Sequence, residues 1–208
     1  MALVTWTPPS IGEHSGFNLK LIPLSEPTAT NKNLTVHETK YTLQDLTPGA
    51  SYELQLHTVF ENKESQAHLS TNFTTKPNAP SVFIVWFRNE TTLLVLWYGP
   101  IPSGHFTNYK ASILPADAVM SETYVPRGDD LPNNANVAQA AFDGLVPGRA
   151  YNVSVQTYSE SQLSDNLTAQ YRTVPPRPNN VTFDPDSIGT DSFTVHWNGP
   201  SGIGEFDK

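Results

Sequence analysis

Apolar and polar residues alternate with period two wherever this chain shows regular patterning. The clearest runs are Tyr52-Glu53-Leu54-Gln55-Leu56 and Tyr151-Asn152-Val153-Ser154-Val155. A period of two places every second side chain on one face of a strand, so Leu54 and Leu56, or Val153 and Val155, are expected to face a core. The two runs belong to longer segments that nearly repeat, Leu46-Thr47-Pro48-Gly49-Ala50-Ser51-Tyr52 and Leu145-Val146-Pro147-Gly148-Arg149-Ala150-Tyr151, 99 residues apart. In each, Pro and Gly make a turn, and a Tyr opens the strand. A Tyr so placed fits the corner of a β-sandwich, its ring buried and its hydroxyl bonded to upstream backbone. No run of ten residues has helical periodicity, and the 18 prolines are spread throughout, so the chain reads as all-β.

A second landmark recurs. Val4-Thr5-Trp6, Val95-Leu96-Trp97 and Val195-His196-Trp197 each end a strand pattern in a large core aromatic, and a proline follows within three residues. The Trp spacings are 91 and 100 residues, a length that suits one seven-stranded sandwich per repeat. The expected core markers are therefore Trp6, Tyr52, Trp97, Tyr151 and Trp197. The ordered pair, Trp and then Leu-x-Pro-Gly-x-x-Tyr 40 or 48 residues later, resembles the fibronectin type III repeat. That resemblance implies tandem immunoglobulin-like, Greek-key β-sandwiches with seven strands per complete repeat. Residues 1–77 are expected to form one repeat lacking its first strand, 78–176 a complete repeat, and 177–208 the opening strands of a third. The joints Lys76-Pro77-Asn78-Ala79-Pro80 and Val174-Pro175-Pro176-Arg177-Pro178 are short and semi-rigid, because prolines resist helix and keep the backbone extended. On this division the 177–208 segment leaves strand edges exposed, and it is expected either to be poorly ordered or to complete a neighbouring molecule's sheet.

Charge narrows the partners. A formal charge of −8 with scattered Lys and Arg excludes the concentrated basic surface that nucleic acid or anionic lipid requires. No apolar run approaches a bilayer-spanning length. Cysteine is absent, which argues against an antibody-type sandwich with its inter-sheet disulfide. Six asparagines occupy Asn-x-Ser/Thr sequons: Asn33, Asn72, Asn89, Asn152, Asn166 and Asn180. The alternation around Asn152 puts it on the solvent face, and Asn89 and Asn166 fall in inferred loops. The pattern points to an extracellular glycoprotein.

No residues converge in a catalytic spacing. His14, His37, His57, His68, His105 and His196 are dispersed, with no His-x-x-x-His on a helix, no Gly-x-Ser-x-Gly elbow and no phosphate-cradling loop. His57 and His196 are expected on outward strand positions, as solvated surface residues. The segment is read as non-enzymatic, with no cofactor, metal or small-molecule substrate. Two features remain as candidate binding elements. Arg127-Gly128-Asp129 lies in the Gly/Pro/Asn/Asp-rich stretch 126–136, where the 78–176 repeat is longer than the first. Integrins read a guanidinium and a carboxylate flanking a flexible glycine, although fibronectin presents the tripeptide between its last two strands and not in mid-domain. The second feature is an apolar outer face. Matching Phe83 and Val85 to Val181 and Phe183 as inward residues leaves Ile84, Trp86, Leu94 and Leu96 outward, where the third repeat has Thr182, Asp184, Thr194 and His196. An exposed cluster of that size favours association.

The wording of the repeats goes further. The segment Phe83-Ile84-Val85-Trp86-Phe87-Arg88-Asn89-Glu90-Thr91-Thr92-Leu93-Leu94-Val95-Leu96-Trp97, with 144–157 and 170–175, is similar to the ectodomains of insect receptor-type tyrosine phosphatases of the R3 group. That resemblance implies a fragment outside the plasma membrane of a single-pass receptor, its span and catalytic domain lying elsewhere in the parent. It would act as a rod and as a surface for a protein ligand, a cell-surface partner or a second copy, in axon guidance or epithelial tube signalling. Two other readings stay open: an integrin-binding adhesion module acting through Arg127 and Asp129, and an intracellular structural array in which the sequons are accidental.

Overall fold

The computed structural model describes residues 2–25, 30–128, 136–202 and 204–205. Strands alone build it, apart from one 3-10 turn at Pro185–Ser187. The described chain divides into two compact units, residues 1–79 with 100–109 and 156–165, and residues 80–99 with 110–155 and 166–208.

In the first unit, β1 (Ala2–Thr5) pairs with β4 (Lys40–Leu43). A second sheet contains β2 (Gly16–Pro23), β3 (Lys32–Val36), β5 (Ser51–Phe60), β6 (Lys63–Glu64) and β7 (Leu69–Thr74), with β2 and β5 central. The inward residues of both sheets meet in one cluster of Leu19, Leu21, Leu43, Tyr52 and Leu54, with Val4, Trp6 and Phe73 packed against it. The Trp6 ring meets Phe17 edge-on at 5.5 Å. This is the arrangement period-two alternation demands, since each strand gives one face to the interior and one to water.

The next strands are β8 (Ser81–Arg88), β9 (Thr92–Tyr98), β10 (Asn108–Leu114), β11 (Glu122–Pro126), β12 (Val137–Asp143), β13 (Ala150–Ser159), β14 (Gln162–Leu163) and β15 (Leu167–Arg172). One sheet has the order β12-β9-β8, and the other runs β11-β10-β13-β14 with β15 also on β13. The chain changes sheet between β9 and β10, between β11 and β12, and again between β12 and β13. Greek-key sandwiches change sheets in this way. Leu93, Val95 and Trp97 from β9, Phe142 from β12, and Tyr151, Val153 and Val155 from β13 are all fully buried.

The segment after residue 177 is a hairpin of β16 (Asn179–Phe183) and β17 (Val195–Asn198). Every residue of β17 is exposed, and Trp197, expected as a core marker, is 65% exposed. The correction has a simple cause. Among the described residues no second sheet lies over this hairpin, so the inward face of its pattern has nothing to pack against.

Candidate functional site

The two corners repeat almost atom for atom. The Thr47 N–H donates to the Tyr52 hydroxyl at 2.8 Å, and the Val146 N–H donates to the Tyr151 hydroxyl at 2.8 Å. A threonine hydroxyl closes each turn from below, Thr75 Oγ1 donating to Thr47 O at 2.6 Å and Thr173 Oγ1 to Val146 O at 2.7 Å. Burial holds the Tyr151 phenol above its ordinary value; the Val146 amide opposes that shift and the nearby Asp117 carboxylate adds to it. These contacts are structural, and they set the strands on which any binding surface is displayed.

The outer face of β8 and β9 is the candidate site. Ile84 lies opposite Leu96. The ladder then slips between Val85 and Phe87, so that Phe87, and not Trp86, faces Leu94. Strict alternation put Trp86 at that position, but the strand carries an extra residue there, as in a β-bulge. Trp86 sits in the irregularity at 73% exposure, and Phe87, Ile84 and Val82 are exposed beside it. Leu94 and Leu96 are half-buried. They belong to the central strand and are flanked by β12, where Ala141 and Gln139 stand opposite them. The face is therefore wider along β8 than the sequence pattern implied and less open along β9. Val82 and Phe87 were missed because both flank slips in pairing, and Val82 has a φ of +49°, a conformation unusual for a β-branched residue.

Arg127 and Gly128 follow the end of β11 in a turn, within the insertion between β11 and β12. Asp129 lies outside the described residues. All six sequon asparagines are exposed. Asn89 Oδ1 accepts the Thr91 and Thr92 N–H groups at 2.8 and 2.7 Å, which fixes the turn and leaves its amide nitrogen pointing away from those bonds.

His57 corrects another expectation. It is 7% exposed, not solvated. Its ring lies tilted against that of His68, with centroids 4.8 Å apart, and Nδ1 lies 3.0 Å from the Ser65 carbonyl oxygen. Gln156, 99 residues on, does the same work by donating from Nε2 to Ser164 O at 2.6 Å. The pair marks a position that satisfies a carbonyl where β5 or β13 meets its short partner. Among the described residues no group of three or more His, Cys, Asp or Glu side chains is placed to hold a metal ion. No helix among them is long and apolar enough to cross a membrane.

The fibronectin type III domain model matches residues 1–75 and 78–170. The chain belongs to that family. Tenascin-R of Gallus gallus is 30% identical over 173 residues, covering 83% of this chain and 12% of that protein. Collagen alpha-1(XII) chain of Oryctolagus cuniculus is 28% identical over 195 residues, 93% of this chain and 29% of the relative. Receptor-type tyrosine-protein phosphatase V of Rattus norvegicus is 26% identical over 196 residues, 92% and 10% respectively. The chain thus spans between a tenth and three-tenths of the relatives it matches. Among solved structures, a two-domain fibronectin type III segment from chicken tenascin superposes with a TM-score of 0.57 at 18% identity, covering 82% of this chain and 91% of that one. That likeness bears on the fold.

Proposed function

We propose that this tandem fibronectin type III chain is a non-catalytic extracellular adhesion and recognition segment, and that it engages a protein partner or a second copy through the outer face of β8 and β9. The observation that carries the reading is the apolar face itself. On a sheet whose other surface is already buried, the Ile84–Leu96 and Phe87–Leu94 pairs and the protruding Trp86 stand where solvated residues belong. Covering such side chains contributes roughly 1.5–3 kcal/mol each when burial is complete. The tenascin, collagen and receptor phosphatase relatives support an extracellular setting, and the six exposed sequons agree with it. Repeat boundaries at residues 1–77, 78–176 and 177–208 complete the proposal.

The deciding experiment replaces Trp86 by Ser and Leu96 by His together. Both surfaces remain strand-compatible, so the fold should persist while self-association in sedimentation velocity, or binding to cells that bear the partner, is lost. Unchanged sedimentation and unchanged cell binding would sink the proposal. The finer identity, a receptor-type tyrosine phosphatase ectodomain at the plasma membrane, rests on sequence wording and on the 26% identical rat phosphatase. It is tested by the parent's downstream sequence, which should encode a membrane span and then a His-Cys-x5-Arg signature. Integrin binding through Arg127-Gly128-Asp129 is the second reading. Gly128 favours it, with a φ of +102° that an L side chain rarely adopts. That reading requires Asp129→Glu to abolish adhesion, and it fails if adhesion survives.

A further inference from the structure

The Pro-Gly turn before each corner tyrosine does more than reverse the chain. In the first unit the His105 N–H donates to the Pro48 carbonyl at 2.7 Å. In the second unit the Glu205 N–H donates to the Pro147 carbonyl, also at 2.7 Å. The donors are equivalent in sequence, each eight residues after a repeat's tryptophan (Trp97 and Trp197) and each preceded by glycine (Gly104 and Gly204). The acceptors are equivalent too, each the proline of a Leu-x-Pro-Gly turn. The same bond has therefore been built twice, independently, inside two different units.

The turn glycines show why. Gly49 and Gly148 have φ of +76° and +73°, which the turn alone would explain. Their surroundings add a second demand. A Cβ on Gly49 would overlap the His105 carbonyl, and one on Gly148 would overlap the Glu205 carbonyl. On the donor side, a Cβ on Gly104 would come within 2.7 Å of the Pro48 carbonyl oxygen. Backbone meets backbone at both places with no side chain between.

We propose that each Leu-x-Pro-Gly turn is a docking seat for the Gly-Xaa loop that follows the tryptophan of the next repeat, read by a backbone hydrogen bond and gated by the turn glycine, with Gly104 a second gate at the first seat. The side chains around the seats then tune them differently. At the first, the fully buried Ser159 hydroxyl donates to the Gly49 carbonyl at 2.7 Å, and Glu160 accepts from Ser51 Oγ at 2.6 Å and Thr74 Oγ1 at 3.1 Å. At the second, Arg149 bridges Asp117 at 2.6 Å and Glu205 at 2.7 Å. Its charges are exposed enough to be screened by salt. The first seat is a buried hydroxyl lock and the second is an ionic one.

Amide hydrogen exchange on the whole chain tests this. In the unaltered protein the His105 and Glu205 amides should exchange roughly 100-fold or more slower than free amides, as hydrogen-bonded sites do. Gly49→Ala should release His105 at least tenfold while Leu93 and Val95 in β9 keep their protection, and Gly148→Ala should release Glu205 alone. If Gly49→Ala also unfolds β5, Ser159→Ala decides, because it removes the anchor on the Gly49 carbonyl without changing a residue of the turn and should still speed His105. Raising the salt from 0.1 to 1 M should speed Glu205 but not His105. Free-amide exchange at either site in the unaltered chain would overturn the proposal. So would His105 protection that persists in both first-seat variants.

Discussion

The corner tyrosine offers the sharpest test of how this sequence holds its sandwich together, because the chain contains its own replicate. Tyr151→Phe keeps the ring, which is 0% exposed, and removes only the hydroxyl that accepts the Val146 N–H at 2.8 Å. The amide cannot turn to water without opening the turn, since Leu145 beside it is buried. An orphaned donor of this kind costs about 1–3 kcal/mol. Taking about 2 kcal/mol, the opening equilibrium of β13 rises roughly 30-fold, a factor of ten for each 1.4 kcal/mol. Amide exchange at Val153 and Val155 should show that rise, since both sit in the strand the corner introduces. Tyr52→Phe should give a similar change at Leu54, because its bond from Thr47 has the same length. Tyr171→Phe is the control. Its hydroxyl reaches Phe83 O only at 3.4 Å, so the loss should stay near 0.5 kcal/mol, the weak end of the range.

Alkaline pH adds a second reading of the same site. The Tyr151 phenol is raised in the folded protein, with burial as the leading cause. Its share of stability is therefore fully present below the unfolded value, near 10, and is lost as pH rises through the folded value. Tyr151→Phe should flatten the alkaline limb of stability, leaving the slope due to Tyr171, which burial also raises. A Tyr151→Phe protein as stable as the parent at neutral pH, with an unchanged alkaline limb, would refute the corner argument.

Three further outcomes follow from the same geometry. Leu93→Ala, at a fully buried β9 position, should cost about 2–5 kcal/mol in denaturant unfolding, since the cavity cannot be filled by neighbours already in place. Glu64 is held below its ordinary value, first by the Lys20 hydrogen bond at 2.6 Å and then by Asn18. Its contribution is present above the unfolded carboxylate value and lost as pH falls through the folded one, so Glu64→Gln should flatten the acid limb by no more than about 1 kcal/mol. Secretion from a glycosylating cell should add glycans at the exposed sequons, read as a mobility shift on amidase treatment; no shift at any of the six would favour the intracellular array.

Much of this is legible in the amino-acid sequence, and the reason is local. Alternation needs only neighbouring residues, so the burial of Leu54, Val153 and Val155 follows from the pattern around them. A tyrosine after Pro-Gly carries its bond within five residues, so the corners were legible too. What failed involved residues outside the strand's own pattern. Trp197 has the same local pattern as Trp97, yet one is exposed and the other fully buried, because burial depends on an opposing sheet that a strand's own residues do not encode. His57 stands on the outer face that alternation assigns it, opposite Asn18, but it is not solvated, because the chain after β6 covers it with the Ser65 carbonyl and the His68 ring. Comparing His57 with Gln156 is the one signal that could have revealed this, since both can donate to a carbonyl from a similar reach.

On the outer face of β8 the slip in pairing rearranges the apolar patch without removing it. With strict alternation the four outward apolar residues would form a square, Ile84 and Trp86 over Leu96 and Leu94. The irregularity at Trp86 moves Phe87 into that square and pushes Trp86 out of it. Its contribution changes in kind. A tryptophan within the square would have been partly covered by its neighbours, whereas one displaced from the ladder at 73% exposure presents most of its surface to a partner. Large aromatics that become desolvated at the centre of a contact dominate binding energy, while the aliphatic residues around them mainly exclude water. Trp86→Ser should therefore account for most of the loss of association in the double variant, and Leu96→His alone for little. The reverse order would mean that the flat β9 surface is the contact and the displaced tryptophan only its margin.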